Sequence, residues 1–265
     1  MIEVIKDLSN EEYHKRKEVS NSDLTLINKS MAHYFAPRKD PTEKMEFGTA
    51  FHSMILEPER FEKLYAKGPV EDKRSKKIWA EAREENPGKT LLRVKEWEAL
   101  HKMKEKTEKH PRFSAYFEKG EPEVSVFWEM QGVGCRCRPD WLINDGEYII
   151  DLKTSADASE EGFPRAINNF RYHVQDAWYT VGVKRALRVS RPEFVFIVVE
   201  NDEPYEIGIY VLNQASKDEG WQVADKNLRR YVDYYNKPEE ERYAGYSGDA
   251  VEVSLPRYGF KETIY

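Results

Sequence analysis

No stretch of this 265-residue chain approaches the roughly 18 to 20 consecutive apolar residues of a membrane-spanning helix. A mean hydropathy of -0.80 points the same way, so an integral membrane protein is excluded. The opening MIEVIKDLSNEEYHKRKE has no apolar signal-peptide core and carries acidic residues that transit peptides avoid, so a cytoplasmic location is expected. Cysteine is nearly absent as well. The two present, Cys135 and Cys137 in CRCRPD, are too close for a relaxed disulfide along a strand and too few to hold zinc or an iron–sulfur cluster, so reduced thiols are expected. There is no Gly-rich loop ending in Lys-Ser or Lys-Thr, so nothing in the sequence calls for ATP. Repeats and low-complexity tracts are missing too.

What is there is a charged chain of 34% Asp, Glu, Lys and Arg with a net charge of -6. That total argues weakly against coating of nucleic acid by the whole surface, but the charge is uneven. Residues 67–109 carry an excess of four cations and residues 200–265 an excess of six anions, which leaves room for a local basic channel.

The pattern along the chain is helices, then strands, then both, a mixed α/β organisation expected to form one domain over 1–265. Its parts are a helical N-terminal portion over 1–112 with His52, a sheet and helix over 121–212, and a C-terminal helix and tail over 213–265. Ser9 with Glu12 reads as a capping box, and Ser22 as the cap of a helix with Leu24, Ile27, Met31 and Phe35 on its apolar face. KMEFGTAFHSMILEPERFEKLYA reads as a buried helix through Leu56, a break at Pro58 and a second short helix. Residues 66–112 look peripheral, with an amphipathic helix marked by Trp97, Leu100 and Met103. EVSVFWEM, CRCRPDWLI and EYIIDLK, joined by turns, predict three consecutive antiparallel strands. A helical stretch over 160–187, broken near Phe163-Pro164, precedes the strands EFVFIVVE and YEIGIYVLN, and a last amphipathic helix runs over 214–235.

The strongest chemical signal is Pro139-Asp140 followed by Asp151-Leu152-Lys153. Strand alternation puts Asp151 and Lys153 on one face, and a short hairpin can bring Asp140 beside them. Two carboxylates this close would repel without a metal, and with a hard cation and a lysine to orient water they form the apparatus of phosphodiester hydrolysis. Alone, the D-x-K pattern is more often an exposed, salt-bridged strand end, but Asp151 follows Tyr148-Ile149-Ile150, and a charged pair emerging from a core strand requires a reason. His52 reads either as a core histidine among bulky neighbours or as a nitrogen ligand. Gln175 and Tyr179, at i and i+4, face one way from a helix. Arg138, two residues before Asp140 and therefore expected on the same strand face as that carboxylate, could fork onto a phosphate or simply neutralise the carboxylates.

The order FGTAFH, CRCRPD, IIDLKT, YHVQDAWY resembles the PD-(D/E)XK nuclease superfamily, and within it the RecE exonuclease group (exodeoxyribonuclease VIII type). The likeness runs from VSNSDL to VSLPR and so covers most of the chain. It implies a restriction-endonuclease-like core, a mixed central sheet flanked by helices. By the same resemblance His52, Asp140, Asp151 and the Leu152 carbonyl would hold Mg²⁺, with Mn²⁺ a possible substitute, and Lys153 would orient the water. Gln175 and Tyr179 would line the DNA side, and Glu123 is a provisional further acid. The implied activity is ATP-independent 5′ to 3′ degradation of linear double-stranded DNA in a bacterial or phage setting. It would leave a 3′ single strand for a RecT-like annealing partner, and a ring-forming homo-oligomer of three or four chains is suggested. The rival readings are another nuclease of this fold, restriction-type or Cas4-like, and a DNA-end-binding adaptor without chemistry. The missing cysteine quartet argues against the cluster-bearing Cas4 type, and the intact carboxylates and lysine argue against the adaptor.

Overall fold

The computed structural model describes residues 2–38, 40–71, 75–117, 119–246 and 248–255. Pro256 and Arg257 of VSLPR lie outside these described residues. After a short strand β1 (Glu3–Ile5), hydroxyl caps set the helices. Ser9 and Glu12 form the expected capping box at α1 (Asn10–Lys15), the Glu12 N–H donating to Ser9 Oγ at 3.2 Å. For α2 (Asn21–Lys29) the cap is Ser20 rather than Ser22, because its partner three residues on is Asp23, whose carboxylate accepts the Ser20 N–H at 2.8 Å. The single helix expected through Phe35 is two, since Ser30 leaves helical geometry and caps α3 (Met31–Phe35).

The next helices, α4 (Glu43–Leu56) and α5 (Pro58–Leu64), follow the sequence reading, with Pro58 opening the second. Then come β2 (Tyr65–Lys67), α6 (Lys76–Glu85), β3 (Thr90–Leu92), α7 (Val94–Lys109) and α8 (Phe113–Phe117). This region is not peripheral as expected. Leu100 and Met103 of α7 are completely buried with Phe51 and Met54 of α4, because amphipathic periodicity reports an apolar face and not what covers it.

The sheets are built from β4 (Glu121–Pro122), β5 (Ser125–Met130), β6 (Val133–Cys137), β7 (Trp141–Ile143) and β8 (Tyr148–Ser155). Next along the chain are α9 (Phe163–Phe170), α10 (Tyr172–Leu187), β9 (Glu193–Glu200), β10 (Ile207–Tyr210) and α11 (Gln214–Asn236). The central sheet has the order β10-β9-β8-β7-β4 and is mixed, β8 and β9 being parallel and the other pairs antiparallel. A second sheet, β1-β5-β6, is wholly antiparallel. The three consecutive strands predicted as one meander are therefore divided. CRCRPDWLI breaks at Arg138-Pro139-Asp140, and its two halves join different sheets. Pro164 does not break a helix but sits in the first turn of α9; the break comes at Arg171, in the left-handed region at φ 61°.

Alternation along β8 and β9 covers both faces of the central sheet. Ile149, Phe194, Phe196 and Val198 pack with Trp178 of α10, Leu228 of α11 and Leu24 of α2. Ile150, Leu152, Val195, Ile197 and Val199 pack with α4 and α7. Cys135 and Cys137 are buried free thiols in the first of these cores. Among the described residues no helix is long and apolar enough to cross a membrane.

Candidate active site

The site forms where the chain changes sheet. It passes from the central sheet to the small one between β4 and β5, and back between β6 and β7. Glu123 stands at the first crossing and Asp140 at the second, and the Glu123 N–H donates to the Asp140 carbonyl at 3.2 Å. Glu123 takes φ 51° to make its turn, an uncommon conformation for a residue with a Cβ. Pro139, without an N–H, suits a position where the ladder is interrupted.

β7 pairs with β8 only as far as Ile150, so beyond it the β8 edge lacks a strand neighbour. The Asp140 carboxylate fills that gap, its Oδ2 accepting the Leu152 N–H at 2.7 Å. The N–H and C=O of one residue leave a strand on the same side, so the Leu152 carbonyl faces the edge that Asp140 occupies. Asp151 shares the face of Ile149 and points toward α10, where Gln175 Nε2 donates to its Oδ1 at 2.6 Å. Lys153 Nζ stands 2.6 Å from Asp151 Oδ2 in a buried ion pair. The same ammonium lies 4.7 Å from the centre of the Tyr172 ring.

His52 arrives from α4, with Nδ1 3.5 Å from Asp140 Oδ2. Gly48, one helical turn before it, allows that approach, since a Cβ there would stand 3.3 Å from Thr154 Oγ1 of β8. His52, Glu123, Lys153 and Tyr172 line one cleft of about 930 Å³, with Asn169 and the exposed Phe170 at its α9 wall.

These acids are close together and largely buried. Burial raises Asp151 to about 6, Lys153 opposing and Asp140 reinforcing the rise. Burial and repulsion from Asp140 bring Glu123 to about 7. For Asp140 burial is outweighed by His52, Lys153 and the Leu152 N–H, and its carboxyl is held below the usual range. Lys153 is raised because Asp151 and Asp140 outweigh its desolvation. A bound cation would relieve the repulsion among these acids. The donors are carboxylate oxygens, one imidazole and a backbone carbonyl, a set suited to a hard divalent ion. Among the described residues no three His, Cys, Asp or Glu side chains already have metal-holding spacing, because Lys153, Gln175 and the Leu152 N–H hold the carboxylates.

Arg138 is not on the face expected of it. The strand ends at Cys137, so alternation does not carry through to Asp140. Arg138 donates to Ser125 Oγ at 3.0 Å and the Leu8 carbonyl at 2.9 Å, lies over the Tyr13 ring, and approaches Glu123 at 3.6 Å. It lines a second pocket of about 240 Å³ that shares Glu123 with the cleft and also includes Arg136, Tyr179 and the first turn of α2. Arg136 is buried and donates to the Tyr13 carbonyl, and its Nε has no partner among the described residues. Sequence reasoning passed over Arg136, Tyr13 and Tyr172. A signal existed for Tyr172, which stands at i to the i+3 and i+7 of Gln175 and Tyr179 on one helix face.

A family model described as a PDDEXK-like domain of unknown function (DUF3799) matches residues 20–249. The chain belongs to that family. Pro139-Asp140 and Asp151-Leu152-Lys153 match the letters of the PDDEXK name; Lys153 lines the cleft just described, and Asp140 and Asp151 contact its lining residues His52 and Lys153. A solved structure from Eubacterium rectale, described as a "putative exonuclease", is similar at a TM-score of 0.65 and 13% identity, over 98% of this chain and 100% of that one. At that identity the likeness concerns the PDDEXK-like fold. The structure of SSO0001, at 14% identity over 78% of this chain and 84% of that one, has a TM-score of 0.31, too low to carry an argument. No curated protein matches the chain.

Proposed function

We propose that this PDDEXK-like protein is a divalent-metal-dependent nuclease of the RecE type that degrades linear double-stranded DNA from the 5′ end without ATP. The observation that carries the reading is convergence. Four sequence motifs far apart in the chain, His52 of α4, Asp140 at the sheet crossing, Asp151 and Lys153 of β8, and Gln175 of α10, meet through direct contacts at one cleft. The description of the Eubacterium rectale protein as an exonuclease agrees with it.

In this reading Asp140, Asp151, His52 and the Leu152 carbonyl would hold Mg²⁺ or Mn²⁺, with Glu123 a further acid beside them. Bound there, the ion would supply charge stabilisation for phosphodiester hydrolysis. Lys153, kept in the cleft by Asp151 and the Tyr172 face, orients the attacking water and favours its deprotonation. Gln175 fixes the Asp151 carboxylate, and with Tyr179 lines the DNA side. Burial keeps the Tyr179 phenol well above its ordinary range and therefore neutral. Arg138 and Arg136 make the small pocket a fitting place for a phosphate of the strand being cut. The product is a 3′ single strand for a RecT-like annealing partner, and a ring of three or four chains gives a topological reason to stay on the DNA.

The test is a linear duplex labelled at either end, incubated with Mg²⁺ beside a closed circle. Release of the 5′ label first, with the circle intact, is expected; cutting of the circle or release of the 3′ label first would replace this reading with another nuclease of the fold. Sedimentation at micromolar concentration tests the ring, and a strict monomer that digests processively would remove it.

A further inference from the structure

Outside the cleft, a groove of about 730 Å³ runs between the end of α2, the second half of α11 and residues 243–246. Its charge runs against that of the last quarter of the chain, to which most of its lining belongs and where residues 200–265 carry an excess of six acids. Lys29, Lys226 and Lys237 line it, exposed and with no acidic partner among the described residues. Asp225 is already held by Arg229 at 2.8 Å and Gln131 at 2.7 Å. Arg230 adds a charge while donating to the Ile27 and Asn28 carbonyls at 2.9 and 3.1 Å, leaving Asp233 as the opposing acid in the lining.

Two aromatic rings stand open beside these cations. Tyr243 and Tyr246 expose 65% and 69% of their surface, although aromatic side chains ordinarily bury theirs. They are held in place. The Ala32 N–H donates to the Ala244 carbonyl at 2.7 Å, Arg242 donates to the Lys237 and Tyr235 carbonyls at 3.0 and 3.1 Å, and the Tyr246 ring lies 5.9 Å from that of His33. A pinned segment therefore presents two unstacked rings next to a row of cations.

We propose that this groove binds single-stranded nucleic acid, and that in the working enzyme it takes the strand the cleft does not hydrolyse. Phosphates match the lysines and unpaired bases match the tyrosine faces, the combination by which single strands are held without sequence preference. A duplex keeps its bases stacked inside and leaves the rings without partners, and an acidic peptide would use the cations but not the rings. Position favours the second half of the proposal, which rests on the nuclease reading above. The first turn of α2 lines the Arg138 pocket beside the cleft and its last residue lines the groove, about 12 Å away at 1.5 Å per residue.

The test is fluorescence anisotropy of a labelled oligo(dT) with the full chain in EDTA, beside turnover of a short blunt duplex in Mg²⁺. Replacing both tyrosines, Tyr243→Ala with Tyr246→Ala, should weaken oligo(dT) binding about tenfold or more. The pair Tyr243→Phe with Tyr246→Phe should bind as the wild type does. Lys226→Glu with Lys237→Glu should weaken binding and flatten its salt dependence. Initial turnover of the short duplex should be unchanged in all three. The proposal is overturned by oligo(dT) binding that ignores the alanine pair, by phenylalanines as damaging as alanines, or by poly-glutamate competing as well as oligo(dT), which would make the groove a surface for an acidic protein. Tyrosine-dependent binding without duplex turnover under any divalent metal supports the groove and sinks the nuclease reading; turnover with tyrosine-independent binding does the reverse.

Discussion

The cleft and the α11 groove solve opposite electrostatic problems. At the centre of the cleft the charges are nearly dry and locked to one another: Asp151 keeps 2% of its side-chain surface, and each of its oxygens is met by one group. In the groove the lysines are wet, spread over α11 and the end of α2. Burial makes an electrostatic contact strong and geometrically exact in its demands, which suits a reaction at one atom. Exposure makes each contact weak and forgiving, which suits a polymer that must slide.

The largest effect expected of that contrast is on turnover. Asp151→Asn should abolish metal-dependent cleavage and Lys153→Ala should slow it by at least ~10², while both keep oligo(dT) affinity and a normal circular dichroism spectrum. Normal turnover by either folded variant would remove the cleft from the chemistry.

Asp176 sharpens the comparison, because it is buried like Asp151 but stands outside the cleft. It accepts from Thr180 Oγ1 at 3.1 Å, its other oxygen has no donor among the described residues, and burial lifts it from 3.8 to about 6. A raised carboxyl binds its proton more tightly folded than unfolded, so its stabilising effect is complete below pH 3.8 and lost as pH rises through about 6. Asp176→Asn should therefore raise stability at pH 7.5 by up to about 3 kcal/mol and change little below pH 4, as denaturant melts at the two pH values will report. An equal shift at both would assign the effect to packing.

His52 and Gly48 probe the cleft's α4 wall with smaller effects. His52→Ala should raise the Mg²⁺ or Mn²⁺ concentration needed for half-maximal turnover by about tenfold while moving the melting temperature little; a large melting shift with an unchanged metal titration would return His52 to the core. Gly48→Ala asks the Thr154 side chain to yield a few tenths of an ångström. A loss of turnover of no more than about tenfold is expected, with stability nearly kept because alanine favours the helix. Turnover at the wild-type rate would show that the α4 approach is not critical.

Much of this was legible in the chain because it is local. The D-x-K of β8 placed two charges on one face through strand alternation, and Gln175 with Tyr179 shared a helix face through helical periodicity; both relations are set by backbone geometry over a few residues. Arg138 was misplaced by the same rule, since alternation holds only while the strand continues and the ladder stops at Cys137. Arg136 and Tyr13 were illegible for another reason, being 123 residues apart and joined only by folding.

By itself the sequence determined where helices start, which faces are apolar and which residue types could hold a hard cation, since caps, periodicity and side-chain chemistry act within a turn or two of the backbone. The tertiary structure alone decided that CRCRPDWLI divides between two sheets, that Glu123 and Asp140 stand together at the crossings, and that residues 243–246 lie beside α2. The physical reason is that a strand's hydrogen-bonding edge satisfies equally well against any partner of suitable shape. The choice of partner follows from how the apolar faces of the whole chain can be buried at once, which no short window of residues contains.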